Sequence, residues 1–166
     1  MRVAFASDHA GWPLRWRVIA EITTLGHEPM DCGPPEVVPG DDYPDRAEAV
    51  GRAVASGEAD RGILVCGSGV GAAIAATKIR GVRACMCHDS FSARQGVEDD
   101  DMNVLALGAR VIGDELAGLV IREFLSARFS GAERHRRRLE KVMAIERGES
   151  SARSTRSGGG ADRPPG

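Results

Sequence analysis

The sequence predicts an α/β fold: one parallel sheet of five strands, helices on both of its faces, and an extra helix after the last strand. Three observations predict it. Five short runs rich in Val, Ile, Leu and Cys show little alternation of apolar and polar residues, as strands buried on both faces do. Helical stretches fill every gap between them, so β and α alternate along the chain. The length, 166 residues, suits one such sheet with its covering helices in a single domain.

The first strand is RVAFAS at 2–7, followed by a helix over 12–25. EPMDC at 28–32 is the second strand, and its helix spans 44–57. RGILVC at 61–66 leads into a helix at 70–79, VRACMC at 82–87 into one at 90–97, and NVLAL at 103–107 into one at 113–127. This order gives right-handed crossovers between parallel strands. A sixth helix, about 131–147, follows the RFSG turn with a narrow apolar stripe of Leu139, Val142 and Met143. It has no strand of its own, and packs either on its own sheet or on a partner subunit. The stretch 148–166, GESSARSTRSGGGADRPPG, lacks periodic apolar residues and reads as a disordered tail, leaving 1–147 as the domain.

Composition narrows the function. With 42% hydrophobic residues, 28% charged residues and a formal charge of -2, the chain is no general nucleic-acid binder. No apolar stretch approaches the roughly 20 residues needed to span a bilayer, and the N-terminus reads as a strand, not an export signal. Cys32, Cys66, Cys85 and Cys87 are then expected as reduced thiols in the cytoplasm. Cys85 and Cys87 share a face of their strand but make only half a zinc site, so no metal is expected.

In open parallel sheets ligands bind past the carboxyl ends of the strands. The run Cys66-Gly67-Ser68-Gly69-Val70-Gly71 ends the third strand and opens a helix, presenting unpaired N–H groups to an anion. A thiol in such a place ionises more readily than free cysteine and can act as base or nucleophile. A cysteine that merely fills the strand end accounts for Cys66 equally well. Gly67 to Ala72 also fits G-x-G-x-x-A, with Asp89 near the offset of a ribose-binding acid. That fingerprint belongs after a first strand, whereas here the first turn carries Asp8 and His9, so nicotinamide chemistry is the weaker reading. Asp8 can handle hydroxyl protons and His9 can hold a phosphate, although a capping Asp beside a surface His is the blander explanation. Arg134 and Arg138 stand one helical turn apart in RHRRR and suit a phosphate dianion, although a basic turn alone is more often a solvated face. Arg110 is a third such cation at the strand ends.

Taken together, SDHAG at 7–11, DYP at 42–44, GILVCGSGVG at 62–71, IAATK at 74–78, NVLALGAR at 103–110 and RHRRR at 134–138 resemble the ribose-5-phosphate isomerase B family, which includes galactose-6-phosphate isomerase subunits. The resemblance covers roughly residues 1–147. It implies a Rossmann-like αβα three-layer sandwich and interconversion of ribose 5-phosphate and ribulose 5-phosphate through an enediolate. It further implies a homodimer, with further pairing into tetramers left open, sites built at the subunit interface, and no metal or organic cofactor. Residue by residue, it implies Cys66 as the base, Gly67, Ser68, Gly69, Val70 and Gly71 as the anion hole, and Asp8 on the sugar oxygens. His9, Arg110, Arg134 and Arg138 correspond to phosphate ligands and Tyr43 to the sugar pocket.

One position departs from the family pattern. Before NVLA the family carries a His that opens the furanose ring, and here Asp99 occupies that place, followed by Asp100. Asp99 could open the ring more slowly. The substrate could instead be an acyclic tetrose or tetrulose 4-phosphate, which cannot close a furanose. A third reading is an impaired enzyme that only binds phosphosugars. His88 is the one other histidine that could substitute.

Overall fold

A computed structural model describes residues 1–149; the tail read from the sequence lies outside the described residues from Ser150 on. The chain divides into two compact units, Met1–Gly131 and the stretch from Ala132 onward.

The first unit is a five-stranded parallel sheet in the order β2-β1-β3-β5-β4. The strands are β1 (Arg2–Ser7), β2 (Glu28–Asp31), β3 (Arg61–Cys66), β4 (Ala84–Met86) and β5 (Val104–Gly108). Between them run α1 (Arg15–Thr24, preceded by a 3-10 turn at Trp12–Leu14), α2 (Tyr43–Ala55), α3 (Val70–Ala76) and α4 (Ser90–Asp100), and α5 (Asp114–Ser126) follows β5. The described part of the second unit is α6 (Glu133–Glu146). The α/β class and the strand count are as the sequence predicts.

Alternate side chains of the three inner strands feed two different cores, which is why these strands look uniformly apolar. Val3 and Phe5 of β1, Ile63 and Val65 of β3, and Leu105 and Leu107 of β5 pack with Val18, Val97 and Phe124 from α1, α4 and α5. Ala4 and Ala6, Leu64 and Cys66, and Val104 and Ala106 face α2 and α3 through Ala47, Val50, Ala72 and Ala76. The second face is built from smaller side chains, so α2 and α3 sit close to the sheet. Cys66 belongs to this close-packed side.

Three expectations require correction. The second and fourth strands are not buried on both faces: β2 and β4 are the sheet edges, and Cys85 and Met86 are exposed. The fourth strand is also shorter than predicted, because the Arg83 main-chain N–H donates to the Asn103 side chain, 2.8 Å, instead of entering the ladder. The helix after it runs to Asp100, beyond the predicted end at 97. It stops at Asp101, which adopts a left-handed φ of 52° and is held through its carbonyl and carboxylate by Arg83, each contact 2.6 Å.

Candidate active site

Register aligns Ser7 with Val65 and Cys66 with Gly108, so the carboxyl ends of β1, β3 and β5 open onto one level. Above them lies a cavity of about 350 Å³ lined by Asp8, His9, Tyr43, Cys66, Ser68 and Arg110, with Ala10, Gly67, Gly71 and Val111 completing it. That volume falls in the range of small-molecule sites, roughly 300–1,000 Å³. A larger groove of about 900 Å³ lies along α2 and the α3 end, between Arg52, Lys78 and Arg80. Asp8, His9, Cys66 and Arg110, candidates read from the sequence, line the smaller cavity and not this groove.

Cys66 is 5% exposed and belongs to the core, yet it is one of the residues that line the cavity, and its sulfur accepts the Gly69 main-chain N–H at 3.1 Å. The loop curls under the sulfur because Gly69 has a φ of 84°, a conformation only glycine adopts without strain. Ser68 Oγ accepts from the Val70 N–H, 3.4 Å, and so braces the same turn. The helix it opens is only seven residues long. The donors this turn offers are therefore local loop amides, with little added by a helix macrodipole.

Tyr43 begins α2, and its ring leaves no room for a side chain at Gly71, where an added Cβ would stand 2.7 Å from Tyr43 Cζ. The Asp8 carboxylate is buried and accepts the Gly11 N–H at 2.8 Å, which ties the turn after β1. Arg110 donates its main-chain N–H to the Gly67 carbonyl, 3.0 Å, so the loops after β3 and β5 are bonded to each other.

His9 is held by Asp41, a residue outside the motifs that mark the other candidates. Asp41 Oδ1 accepts both the His9 main-chain N–H, 2.8 Å, and the ring Nδ1, 3.0 Å, while Asp41 Oδ2 accepts from Arg46 Nε, 3.0 Å. Burial opposes ionisation of Asp41, but the His9 and Arg46 hydrogen bonds outweigh it and hold its pKa below the ordinary carboxylate value. The available signal was a doubled acid, Asp41-Asp42, just before Tyr43.

Several candidates take other places. Asp99 and Asp100 do not line this cavity. They occupy the last turn of α4, which runs back from the carboxyl end of β4 to the amino end of β5, so within one chain they stand at the opposite end of the sheet from Cys66. Gln95 Nε2 donates to Asp99 at 3.3 Å. Arg134 and Arg138 are exposed on α6 in the second unit, and Arg134 Nε contacts His135 Nε2 at 2.7 Å. His88 is spent on structure, its Nε2 accepting the Gly108 main-chain N–H at 3.0 Å. Asp89 caps α4 by accepting from the Ser92 N–H, 2.7 Å, which removes the ribose-binding acid from the nicotinamide reading. Among the described residues no group of three or more His, Cys, Asp or Glu is arranged to hold a metal ion.

Comparison with known proteins places this arrangement. The chain is 43% identical over 145 residues to ribose-5-phosphate isomerase B of Escherichia coli K12, covering 87% of this chain and 96% of that protein. Over a shorter stretch of 89 residues it is 47% identical to D-erythrulose-4-phosphate isomerase of Pectobacterium atrosepticum, 54% of this chain and 59% of that one. The ribose-5-phosphate isomerase B structure from Clostridium thermocellum superposes with a TM-score of 0.85 at 41% identity, over 89% of this chain and 99% of the other. A profile of the Ribose/Galactose Isomerase family matches residues 3–142, and the chain belongs to that family.

Proposed function

We propose that this protein interconverts ribose 5-phosphate and ribulose 5-phosphate in the cytoplasm, with Cys66 as the base. The observation that carries the reading is Cys66 in the cavity wall, its sulfur accepting the Gly69 main-chain N–H in the turn that opens α3. Isomerisation removes a proton from the carbon beside the carbonyl, passes through an enediolate and returns the proton to the neighbouring carbon. One thiolate can serve both carbons, since they are bonded to each other. The developing oxyanion needs fixed donors, and loop amides supply them without reorganising. Asp8 then manages the sugar hydroxyls. His9, Arg110, Arg134 and Arg138 take the phosphate, whose binding energy registers the reacting carbons over the sulfur.

The working unit we propose is a homodimer whose sites are completed across the interface. Two observations support it. Asp99 and Asp100 occupy positions aligned with the family's ring-opening segment but lie away from their own chain's cavity. Ile74 on α3 and Phe91 on α4 are 57% and 70% exposed, large apolar side chains that a second copy would cover.

The test is exchange of substrate hydrogen with heavy water. Cys66→Ala should still bind ribulose 5-phosphate while exchange and turnover fall by on the order of 10³, the scale of a lost general base. Exchange that continued at the parent rate would remove Cys66 from the mechanism.

A further inference from the structure

The Asp41 carboxylate that holds His9 is itself held from its other oxygen by a residue with no place in the isomerase chemistry. Arg46 Nε donates to Asp41 Oδ2 at 3.0 Å, while Oδ1 accepts the His9 main-chain N–H at 2.8 Å and the ring Nδ1 at 3.0 Å. Guanidinium, carboxylate and imidazole form a strut. The Asp41 side chain is 5% exposed and that of Arg46 22%, so its inner part is sheltered, and its outer end is the His9 ring in the cavity wall.

Local sequence explains why the strut stands there. Asp42 occupies the N-cap of α2, so Asp41 precedes the cap and Arg46 is the fourth residue of the helix. Those two positions commonly carry a hydrophobic staple, the contact that fixes the angle at which a chain enters a helix. Here the staple is an ion pair, and a carboxylate, unlike an apolar side chain, has a second oxygen to offer His9. Gly40, at a left-handed φ of 73°, turns the chain into this position. Among the described residues, the hydrogen bonds that tie 34–41 to the rest of the chain are those of the Asp41 carboxylate. Past Gly33, the loop between β2 and α2 is therefore fastened to the cavity by one side chain.

We propose that Arg46 is a positioning residue that, through Asp41, fixes His9 as an anion-binding point of the cavity and so sets which length of sugar phosphate the protein accepts. His9 and Arg110 are the basic side chains of the cavity lining, and Cys66 lies in the same wall. A substrate held by its phosphate at one end and by its reacting carbons at Cys66 is measured along its length. One carbon more or less shifts the reacting carbons against the sulfur, and a misplacement of about 1 Å can cost on the order of 10²-fold in rate. A His9 ring free to swing would follow the phosphate and blur that measure. The planar guanidinium holds the carboxylate in one orientation, which a flexible ammonium does less well. The choice of substrate rests on the isomerase reading; the hold on phosphate does not.

The experiment compares the full-length parent with Arg46→Met, Arg46→Lys and the double variant Asp41→Val/Arg46→Leu, which rebuilds an apolar staple without a partner for His9. Binding of inorganic phosphate is titrated by calorimetry, unfolding is followed on heating, and turnover is measured on ribulose 5-phosphate and on a tetrulose 4-phosphate. Neither ketose can close a furanose, since one carries its phosphate on the required hydroxyl and the other lacks that hydroxyl, so ring opening does not enter. Arg46→Met should weaken phosphate binding and raise KM for ribulose 5-phosphate about three- to tenfold, with kcat within about twofold of the parent. The ratio of kcat/KM between the two ketoses should move toward one by about threefold or more. Arg46→Lys should recover part of both losses. The double variant should melt close to the parent yet keep the weak phosphate binding and the relaxed ratio. A parent that binds no phosphate, unchanged binding in Arg46→Met, or parent-like binding in the double variant overturns the strut, because a residue that only braced the helix would leave His9 untouched. Weakened phosphate binding with an unchanged ratio overturns the selection by length. If the parent turns over neither ketose, the functional reading fails, and the phosphate titrations still decide the strut.

Discussion

Asp41 grips His9 twice with one oxygen, taking the main-chain N–H at 2.8 Å and the ring Nδ1 at 3.0 Å. A carboxylate only accepts, so Nδ1 carries the proton and the ring is locked with Nε2 as its remaining polar atom. The ring is 40% exposed and the Asp41 side chain 5%, which screens the pair from one side only. Replacing Asp41 with Asn keeps the shape and removes the charge. The expected result is a rise in KM of about tenfold or less with kcat little changed, since a charge-assisted hydrogen bond is worth ~1.5 kcal/mol before solvent screening. Inhibition by inorganic phosphate should weaken in parallel, which a purely structural role would not produce.

The same residue gives a pH prediction. Because the folded state lowers the Asp41 pKa, its contribution to stability is fully present above the unfolded carboxylate value near 4 and is lost as pH falls through the lower folded value. Asp41→Asn should therefore narrow its stability gap to the parent protein as the buffer is taken below pH ~4. Urea midpoints at pH 7 and pH 3 measure this, and a gap that widened toward acid would reverse the sign.

Most of the fold was legible because inner strands fed by two cores leave short continuous apolar runs, with the covering helices alternating between them. The same reading erred at the edges, where VRACMC looked like an inner strand although only Ala84–Met86 pairs, and only on one side. Cys66, Gly67, Ser68 and Gly71 line one cavity with Asp8 and His9, and these are residues carried by contiguous motifs. Asp41 was not legible, since its role depends on a loop brought 32 residues back onto His9, and the doubled acid before Tyr43 does not name that partner. Asp99 was legible as a departure but not in its location, because the direction of α4 decides which end of the sheet it reaches.

Gly71 offers a steric test of the pocket. An added Cβ would lie 2.7 Å from the Tyr43 ring, which must tilt away from the helix to admit it. Gly71→Ala should fold, lose about 1–3 kcal/mol from overpacking, and raise KM more than it lowers kcat. Thermal melting and steady-state kinetics on the pair Gly71→Ala and Gly71→Ala/Tyr43→Leu check it. Relief of the stability loss in the double variant would show that the ring is what the methyl strikes.

Asp99 separates ring opening from isomerisation. Imidazole is the side chain best matched to both giving and taking a proton near neutral pH, which is what a ring oxygen requires. Asp99→His should thus raise kcat/KM on ribose 5-phosphate, which is largely cyclic, by on the order of 10- to 100-fold, the lower part of what acid–base catalysis supplies. On an acyclic tetrulose 4-phosphate the same substitution should change little, because no ring stands before the enediolate. A parallel gain on both substrates would mean that residue 99 acts on the proton-transfer step itself. No gain on either would mean that the acidic end of α4 stays away from the cavity in the assembled protein as it does within one chain.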